Sequence, residues 1–524
     1  MLPTKNKLHK LCQEYIEAAV RTVSASEKVI TMEQIKRSYG INKPEETLND
    51  YGLKVDPISP FALYPVFLGT NSNEISICAL CMAMLVLDNS KMTNMHHISR
   101  QVNSALNTLI VTSISEHDGE YEYVYWPTNI TMFNEVESGT FNQTTIALST
   151  LDKIGFLKKL DNLTEESIRK RVQLVVKSLS WIVKHQKLIG GMGSWSYGVK
   201  CTSIESGDID SAMLPSHFCY ETLSKYLNFF VSNHKILTIV NDINDNLISQ
   251  MNDACKMFEN WAWNNQNNDG GYKIRSDGSD SSFIHSCMSL LVYYYSFENT
   301  NSINVEEPLK KDHFTKVIRY ILHNHKNFLV TSDEMLEQYR YEYVITTNNL
   351  SNKKQPSKKQ TGTKMDTYEI MLEFFYLNNS YKVLKSRYKN CITSSQMRKI
   401  RELNYIGLER ILKKVKKIRI GASNDFFAIE GTLLGLATHY PIYCLYDAQI
   451  CFLMFLEAKN EKLRLISFPK TRKISIIVYI FVALTFLGLA IKIGMSDTIS
   501  SILLSIASYI GINIIGKFFP KIKH

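Results

Sequence analysis

The 524-residue sequence has little proline, with 12 in all, so little in it would break long helices. It contains no GxSxG, HExxH or Walker A loop, so hydrolysis by an activated serine, by a HExxH zinc site or through a bound nucleotide has no motif to rest on. Its ten cysteines (Cys12, Cys78, Cys81, Cys201, Cys219, Cys255, Cys287, Cys391, Cys444, Cys451) are scattered. That excludes a disulfide scaffold and fits reduced thiols in a cytoplasmic compartment. The opening residues, Met1 to Lys10, are polar and basic and carry no apolar run of a signal peptide. Charged residues make up only 21% against 45% hydrophobic and 11% aromatic. This is globular composition with ample material for a core, and it excludes disorder and collagen.

The net charge of +10 is uneven. Seven Lys and Arg against Asp497 alone follow residue 469, and thirteen against Glu402 and Glu409 fall within 381–420. The remainder is mildly acidic, which argues against nucleic acid as a partner of the whole surface. Within the basic stretch, Arg410-Ile-Leu-Lys-Lys-Val-Lys-Lys-Ile-Arg419 has apolar residues at 411, 412, 415 and 418. Read as a basic amphipathic helix, it would set Lys413, Lys414, Lys416 and Lys417 against anionic lipid; a solvated outer helix is the plainer reading.

Two charge-free apolar stretches close the chain, 474–491 and 498–515. Each would span about 27 Å as a helix, enough for a bilayer core. Lys470, Arg472 and Lys473 precede the pair and Lys517, Lys521 and Lys523 follow it. The positive-inside bias puts both ends in the cytoplasm, making 461–524 a two-helix anchor in the inner (cell) membrane. Ser500, Ser501, Ser505, Ser508 and Asn513 in the second stretch suit helix association, hence homo-oligomerisation through the hairpin.

The first 460 residues read as almost wholly helical. A recurring unit pairs a polar helix with a loop and a strongly apolar second helix. Second helices are read near Glu74, Gln143, Asp210, Ser281, Asp366 and Asp447, opened by Ser, Thr or Asp as N-caps. About six helical hairpins result, in which an inner layer of apolar helices is wrapped by an outer one. The expected organisation is an N-terminal helical segment at 1–55, a helical repeat domain at 56–460 and the anchor. Within the repeat domain lie a polar loop at 348–364 and a basic helical segment at 381–420.

The loops carry a resemblance. Trp181 to Trp195 (Trp-Ile-Val-Lys-His-Gln-Lys-Leu-Ile-Gly-Gly-Met-Gly-Ser-Trp) and Trp263 to Tyr272 (Trp-Asn-Asn-Gln-Asn-Asn-Asp-Gly-Gly-Tyr) resemble the Gln–Asp–Gly–Trp repeat of the terpenoid cyclase and protein prenyltransferase superfamily. Glu116-His-Asp-Gly-Glu-Tyr is similar to a degenerate third copy. The resemblance implies an all-α, (α/α)6 toroid, here followed by a transmembrane hairpin, with Gln capping a helix in each copy. It implies a polyisoprenoid in the central cavity. Gly207-Asp-Ile-Asp-Ser-Ala is similar to the Asp-x-Asp-Asp motif of proton-initiated cyclases. Asp210 then matches the catalytic acid and Asp208 the first Asp, while Ser211 departs from the last; a helix N-cap is the plainer reading of Asp210. Trp195, Tyr197, Trp263 and Tyr272 would be aromatic substrate contacts, or core. His285 matches the zinc ligand of prenyltransferases, with Cys219 nearby in type, but the accompanying Asp-x-Cys is missing. Zinc or magnesium would be the ion of such a site; a buried, hydrogen-bonded histidine is the plainer reading.

Two functions follow. One is a membrane-anchored cyclase- or prenyltransferase-like enzyme acting on, or binding, a polyisoprenoid. The other is a toroid that senses a ligand or partner and uses its hairpin as anchor or membrane effector, a layout shared with bacterial antiviral systems.

Overall fold

The structure, a computed structural model, describes residues 20–65, 73–88, 96–132, 140–196, 212–233, 245–273, 280–283, 285–290, 307–324, 393–396, 398–400, 415–420 and 423–429, with residues 17 and 236. The chain divides into two compact units, 9–460 and the two ends, 1–8 with 461–524. The second of these lies wholly outside the described residues, and with it the two apolar stretches. Among the described residues no helix is long and apolar enough to cross a membrane.

Helices make up 63% of the described residues. They alternate between apolar and amphipathic. The apolar set comprises α3 (Ile77–Asp88), α5 (Phe141–Ile154), α7 (Met213–Ser232) and α9 (described at residues 283 and 285–290). The amphipathic set comprises α4 (His96–Val111), α6 (Glu165–Lys184), α8 (Asp245–Asn264) and α10 (Glu307–His323). Helix α3 is apolar on all sides, with nine of its twelve residues buried, so it needs cover on nearly its whole circumference. By contrast α8 exposes Asn246, Gln250, Asp253, Lys256, Asn260 and Asn264, one stripe at three- and four-residue spacing. Packing follows from this. The apolar helices line up side by side, α3 on α5 and α5 on α7, and α4, α6 and α8 cover them, each touching its apolar partner. The expected second helices near Glu74, Gln143, Asp210 and Ser281 are thus α3, α5, α7 and α9. Those near Asp366 and Asp447, and the polar loop 348–364, lie outside the described residues.

The expectation of an almost strand-free domain is corrected by six short antiparallel pairs among the described residues. Three of them sit in the repeat loops: β4 (Ile114–Asp118) with β5 (Tyr121–Tyr125), β7 (Lys187–Ile189) with β8 (Met192–Ser194), and β9 (Tyr272–Lys273) with β10 (Ser281–Ser282). Each connects an outer helix to the next inner one. The seventeen residues between α4 and β6 (Asn129–Ile130) would otherwise leave backbone polar groups unpaired, and a hairpin pairs them locally. Pair β11 (Val415–Ile420) and β12 (Ser423–Ile429) corrects the basic helix read over 410–419. Val415, Ile418 and Ile420 are β-branched, and register sets Ile418 opposite Phe426 and Arg419 opposite Asp425. Lys416 and Lys417 therefore stand on a strand, while Lys413 and Lys414 lie outside the described residues.

The N-terminal segment is built into the same unit. Strand β1 (Lys28–Ile30) pairs with β2 (Phe61–Leu63), and α1 (Met32–Tyr39) starts on a capping box between Thr31 and Gln34. The buried guanidinium of Arg171 donates to Tyr51 O (2.9 Å) and Phe156 O (3.0 Å), tying α2 (Pro44–Asp50) and its exit to the repeats. Burial lowers that guanidinium to about 10.

Candidate functional site

The repeat loops hold the inner helices by one recurring bond. The backbone N–H of Trp126 donates to Thr144 Oγ1 (3.1 Å), that of Trp195 to Ser216 Oγ (2.8 Å), and that of Tyr272 to Ser286 Oγ (2.9 Å). Each hydroxyl belongs to the fourth residue of an inner helix, counting from Phe141, Met213 and Phe283. Two of the aromatic rings add a second pin: Trp126 Nε1 donates to Leu109 O and Trp195 Nε1 to Ile182 O, both 2.8 Å and both two residues from the end of an outer helix. Two of the expected caps are present, Ser76 Oγ accepting from Ala79 N and Ser282 Oγ from His285 N, both at 3.4 Å; the recurring bond to the loops is made by a hydroxyl about one turn further on. Helix α7 opens at Met213 with Ala212, whose side chain cannot cap, before it; Ser211 lies outside the described residues. Asp208, Asp210 and Tyr197 lie outside the described residues.

The glutamines also depart from expectation. Gln186 Nε2 donates to Ala254 O (2.9 Å), in the middle of the next outer helix, and Gln266 Nε2 to His313 O (3.0 Å), again on the next outer helix. Neither caps its own helix, because backbone N–H groups already occupy that end: His185 donates to Trp181 O and Gln186 to Val183 O. These side chains staple one repeat to the next.

Trp195 and Tyr272 are fully buried in this framework. Trp263 is half-buried at the end of α8, stacked on His313 at 6.3 Å. The sequence reading brought these rings together as substrate contacts; the structure sets Trp195 and Tyr272 in equivalent places of successive repeats and Trp263 on an outer helix.

What the inner helices present on the side away from the outer helices is a common half-buried stripe. It falls on the second and sixth residues of each and on the ninth of α5 and α7: Cys78 and Met82 on α3, Asn142, Ile146 and Ser149 on α5, and Leu214, Phe218 and Glu221 on α7, continued by Lys225. Neighbouring inner helices cover the flanks, so these stripes lie side by side as one surface. Its first two turns are mainly apolar, with Met82, Ile146, Leu214 and Phe218. Its third and fourth turns are polar. Lys225 Nζ reaches Glu221 Oε1 at 2.5 Å, and His217 Nε2 stands 3.6 Å from Glu221 Oε2. Burial works to raise the Glu221 carboxyl, but Lys225 and His217 outweigh it and hold it well below the usual carboxylate range.

Behind the stripe stand His217 and His285, both fully buried. His285 Nδ1 lies 2.8 Å from Ser282 Oγ. Burial, and then the charge of His217, lower its pKa to about 3, so the ring stays neutral. Burial likewise pushes the Cys219 thiol well above its usual range. Among the described residues no group of three His, Cys, Asp or Glu stands together to hold an ion. Cys78 and Cys81 have C-x-x-C spacing, but neither is in a disulfide, and burial raises the thiol of Cys81.

The wall of Met82, Ile146, Phe218, Glu221 and Lys225 escaped the sequence reading. Its signal was available as residues two and six of each apolar helix; finding it requires knowing where each helix starts, and the N-cap rule misplaced the start of α7.

No family model matches this chain, and no curated protein does. Among solved structures it is similar to two cellobiose 2-epimerases, from Bacillus thermoamylovorans B4167 and Spirochaeta thermophila DSM 6192. Each is 10% identical with a TM-score of 0.43; the alignments cover 79% and 85% of this chain and 98% of each of theirs. A likeness of that size identifies neither a family nor an activity.

Proposed function

We propose that the chain binds a polyisoprenoid against the inner face of its apolar helices, and that it is a membrane-anchored, cyclase- or prenyltransferase-like protein. The observation that carries this reading is the aligned stripe of Met82, Ile146, Leu214 and Phe218, half-buried side chains on three successive inner helices. An extended hydrocarbon laid across them buries apolar area on both partners, at about 25 cal/mol per Å². Asp210, with Asp208 two residues before it, precedes α7 in the sequence and is the acid we assign to protonation of the bound chain. For an uncharged alkene that step moves one proton from the carboxyl to carbon and leaves a carbocation, which a later deprotonation discharges. The stretches 474–491 and 498–515 would hold the protein at the bilayer, where such substrates dissolve, with the basic residues on the cytoplasmic side.

The test is the purified full chain in detergent, incubated separately with squalene and geranylgeranyl diphosphate, wild type beside Asp210→Asn. Cyclised product by mass spectrometry from the wild type alone supports catalysis by Asp210. Binding without turnover supports the second reading, a ligand sensor whose hairpin is anchor or effector. That reading draws on the burial of Trp195 and Tyr272, which places two candidate substrate contacts in the core. Neither binding nor turnover, from folded protein, overturns the polyisoprenoid reading.

A further inference from the structure

The inner wall changes character along its length. Met82, Ile146, Leu214 and Phe218 make its first turns apolar, whereas Ser149, Glu221 and Lys225 make the later ones polar. The two polar regions are neighbours. Tyr226 OH donates to Leu148 O at 2.8 Å, which brings the third turn of α5, where Ser149 stands, alongside the Glu221–Lys225 turn of α7. A hydrocarbon has no use for this end: covering an ion pair with apolar surface removes its hydration and returns nothing. A diphosphate fits no better. Lys225 is engaged at 2.5 Å by Glu221, whose carboxylate would confront the incoming anion, and the pair stands on the third and fourth turns of α7, away from its positive N-terminal end. A hydroxyl group matches. It can donate to the Glu221 carboxylate while accepting from Lys225 or Ser149, and it leaves the ion pair intact.

Resting on the polyisoprenoid reading above, we infer that the ligand of this wall is an uncharged prenyl alcohol, its chain over Phe218, Ile146 and Met82 and its hydroxyl at Glu221 and Lys225. Sites built to hydrogen-bond a hydroxyl discriminate strongly against analogues lacking it.

Equilibrium binding to the full chain in detergent tests this with three tritiated probes: geranylgeraniol, squalene and geranylgeranyl diphosphate. The expected order puts geranylgeraniol at least tenfold tighter than either of the others. Glu221→Gln and Lys225→Met each weaken geranylgeraniol about tenfold and leave squalene within twofold, whereas Phe218→Asp weakens every probe that binds. Squalene or the diphosphate binding as tightly as the alcohol, with Phe218→Asp still weakening it, overturns the head-group inference and leaves the wall standing. Absence of all binding from protein folded by circular dichroism overturns both. Should either polar variant fail to fold, a geranylgeraniol analogue bearing a diazirine beside its hydroxyl supplies the measurement on wild type. Crosslinks within 213–232 or 141–154 support the inference, and crosslinks confined elsewhere overturn it.

Discussion

The repeat running from Trp181 to Ser216 and the one running from Trp261 to Ser286 use the same fastenings for different reasons. In both, a glutamine five residues after a tryptophan reaches the next outer helix, and an aromatic residue gives its backbone N–H to a serine on the inner helix. Their glycine pairs differ. Gly190 and Gly191, with φ of 57° and 79°, form the turn of an exposed hairpin, and a Cβ on either would meet nothing within 4 Å. Gly270 is wedged so that a Cβ would lie 2.4 Å from the Lys316 carbonyl oxygen, and one on Gly271 would lie 2.4 Å from Ser281 Cβ. The first pair answers a demand of backbone conformation alone; in the second, Gly271 answers a demand of space and Gly270, with φ of 91°, answers both. Identical letters in a motif thus report two physical constraints, and only packing distinguishes them.

That contrast can be broken most sharply at the glycines. Gly270→Ala and Gly271→Ala are each expected to cost about 3 kcal/mol or more, since strain or collision with fixed atoms cannot relax cheaply, while Gly190→Ala or Gly191→Ala costs about 1 kcal/mol of left-handed strain alone. Denaturant unfolding of the four variants measures this, and equal losses in both pairs would erase the distinction.

Acid should expose a second asymmetry, for the third residue of the inner helix is Pro215 in one repeat and His285 in the other. The folded value of His285, about 3, lies below its ordinary 6.5. The unfolded chain therefore binds the extra proton first, so the stability due to the neutral ring is complete above 6.5 and is lost as pH falls from 6.5 towards 3. Between pH 6.5 and 4.5 the loss is expected to be about 2 kcal/mol. His285→Asn should flatten that part of the stability-against-pH curve; an unchanged slope would remove the histidine from the account.

Smaller differences should follow at the staples. Gln266 donates to two carbonyls, Gly270 O and His313 O, where Gln186 donates to Ala254 O. Gln266→Ala is expected to cost about 2 kcal/mol and Gln186→Ala about 1 kcal/mol. Smallest and most alike, Ser216→Ala and Ser286→Ala should each cost about 1 kcal/mol, because each leaves one buried backbone N–H without its hydroxyl. Unequal serine losses would mean that the shared bond is not shared in energy.

The helical repeat was legible because periodicity is written in residue type: Ile77 to Leu87 has almost no polar residue and can only be a buried helix. Trp181, Gln186 and Trp195 were legible as a motif, though not as a staple, since the partner of Gln186 lies 68 residues away on a helix whose register no local pattern reveals. The hairpins were missed for a related reason. Glu116 to Tyr121 reads as a polar loop, and its pairing is stabilised from outside by Trp181, whose Nε1 donates to Glu116 Oε2 at 3.0 Å. The strand over Val415–Ile420 was hidden by lysines that satisfy a helical wheel as well as an alternating ladder. Of the site, His285 was legible as a buried, hydrogen-bonded histidine, and it is one, fully buried against Ser282 Oγ; Glu221 and Lys225 carry no local pattern that marks them.

The open turn at Gly190 and Gly191 has a practical consequence. A side chain on either of its two central residues would meet open space, its neighbours Leu188 and Ile189 are exposed, and the strands beneath it are anchored through Gln186 and Trp195. A short epitope or a rigid fusion partner inserted between those glycines would ride on a fixed base without entering the core. It would give a particle of about 60 kDa the asymmetric landmark that single-particle alignment needs.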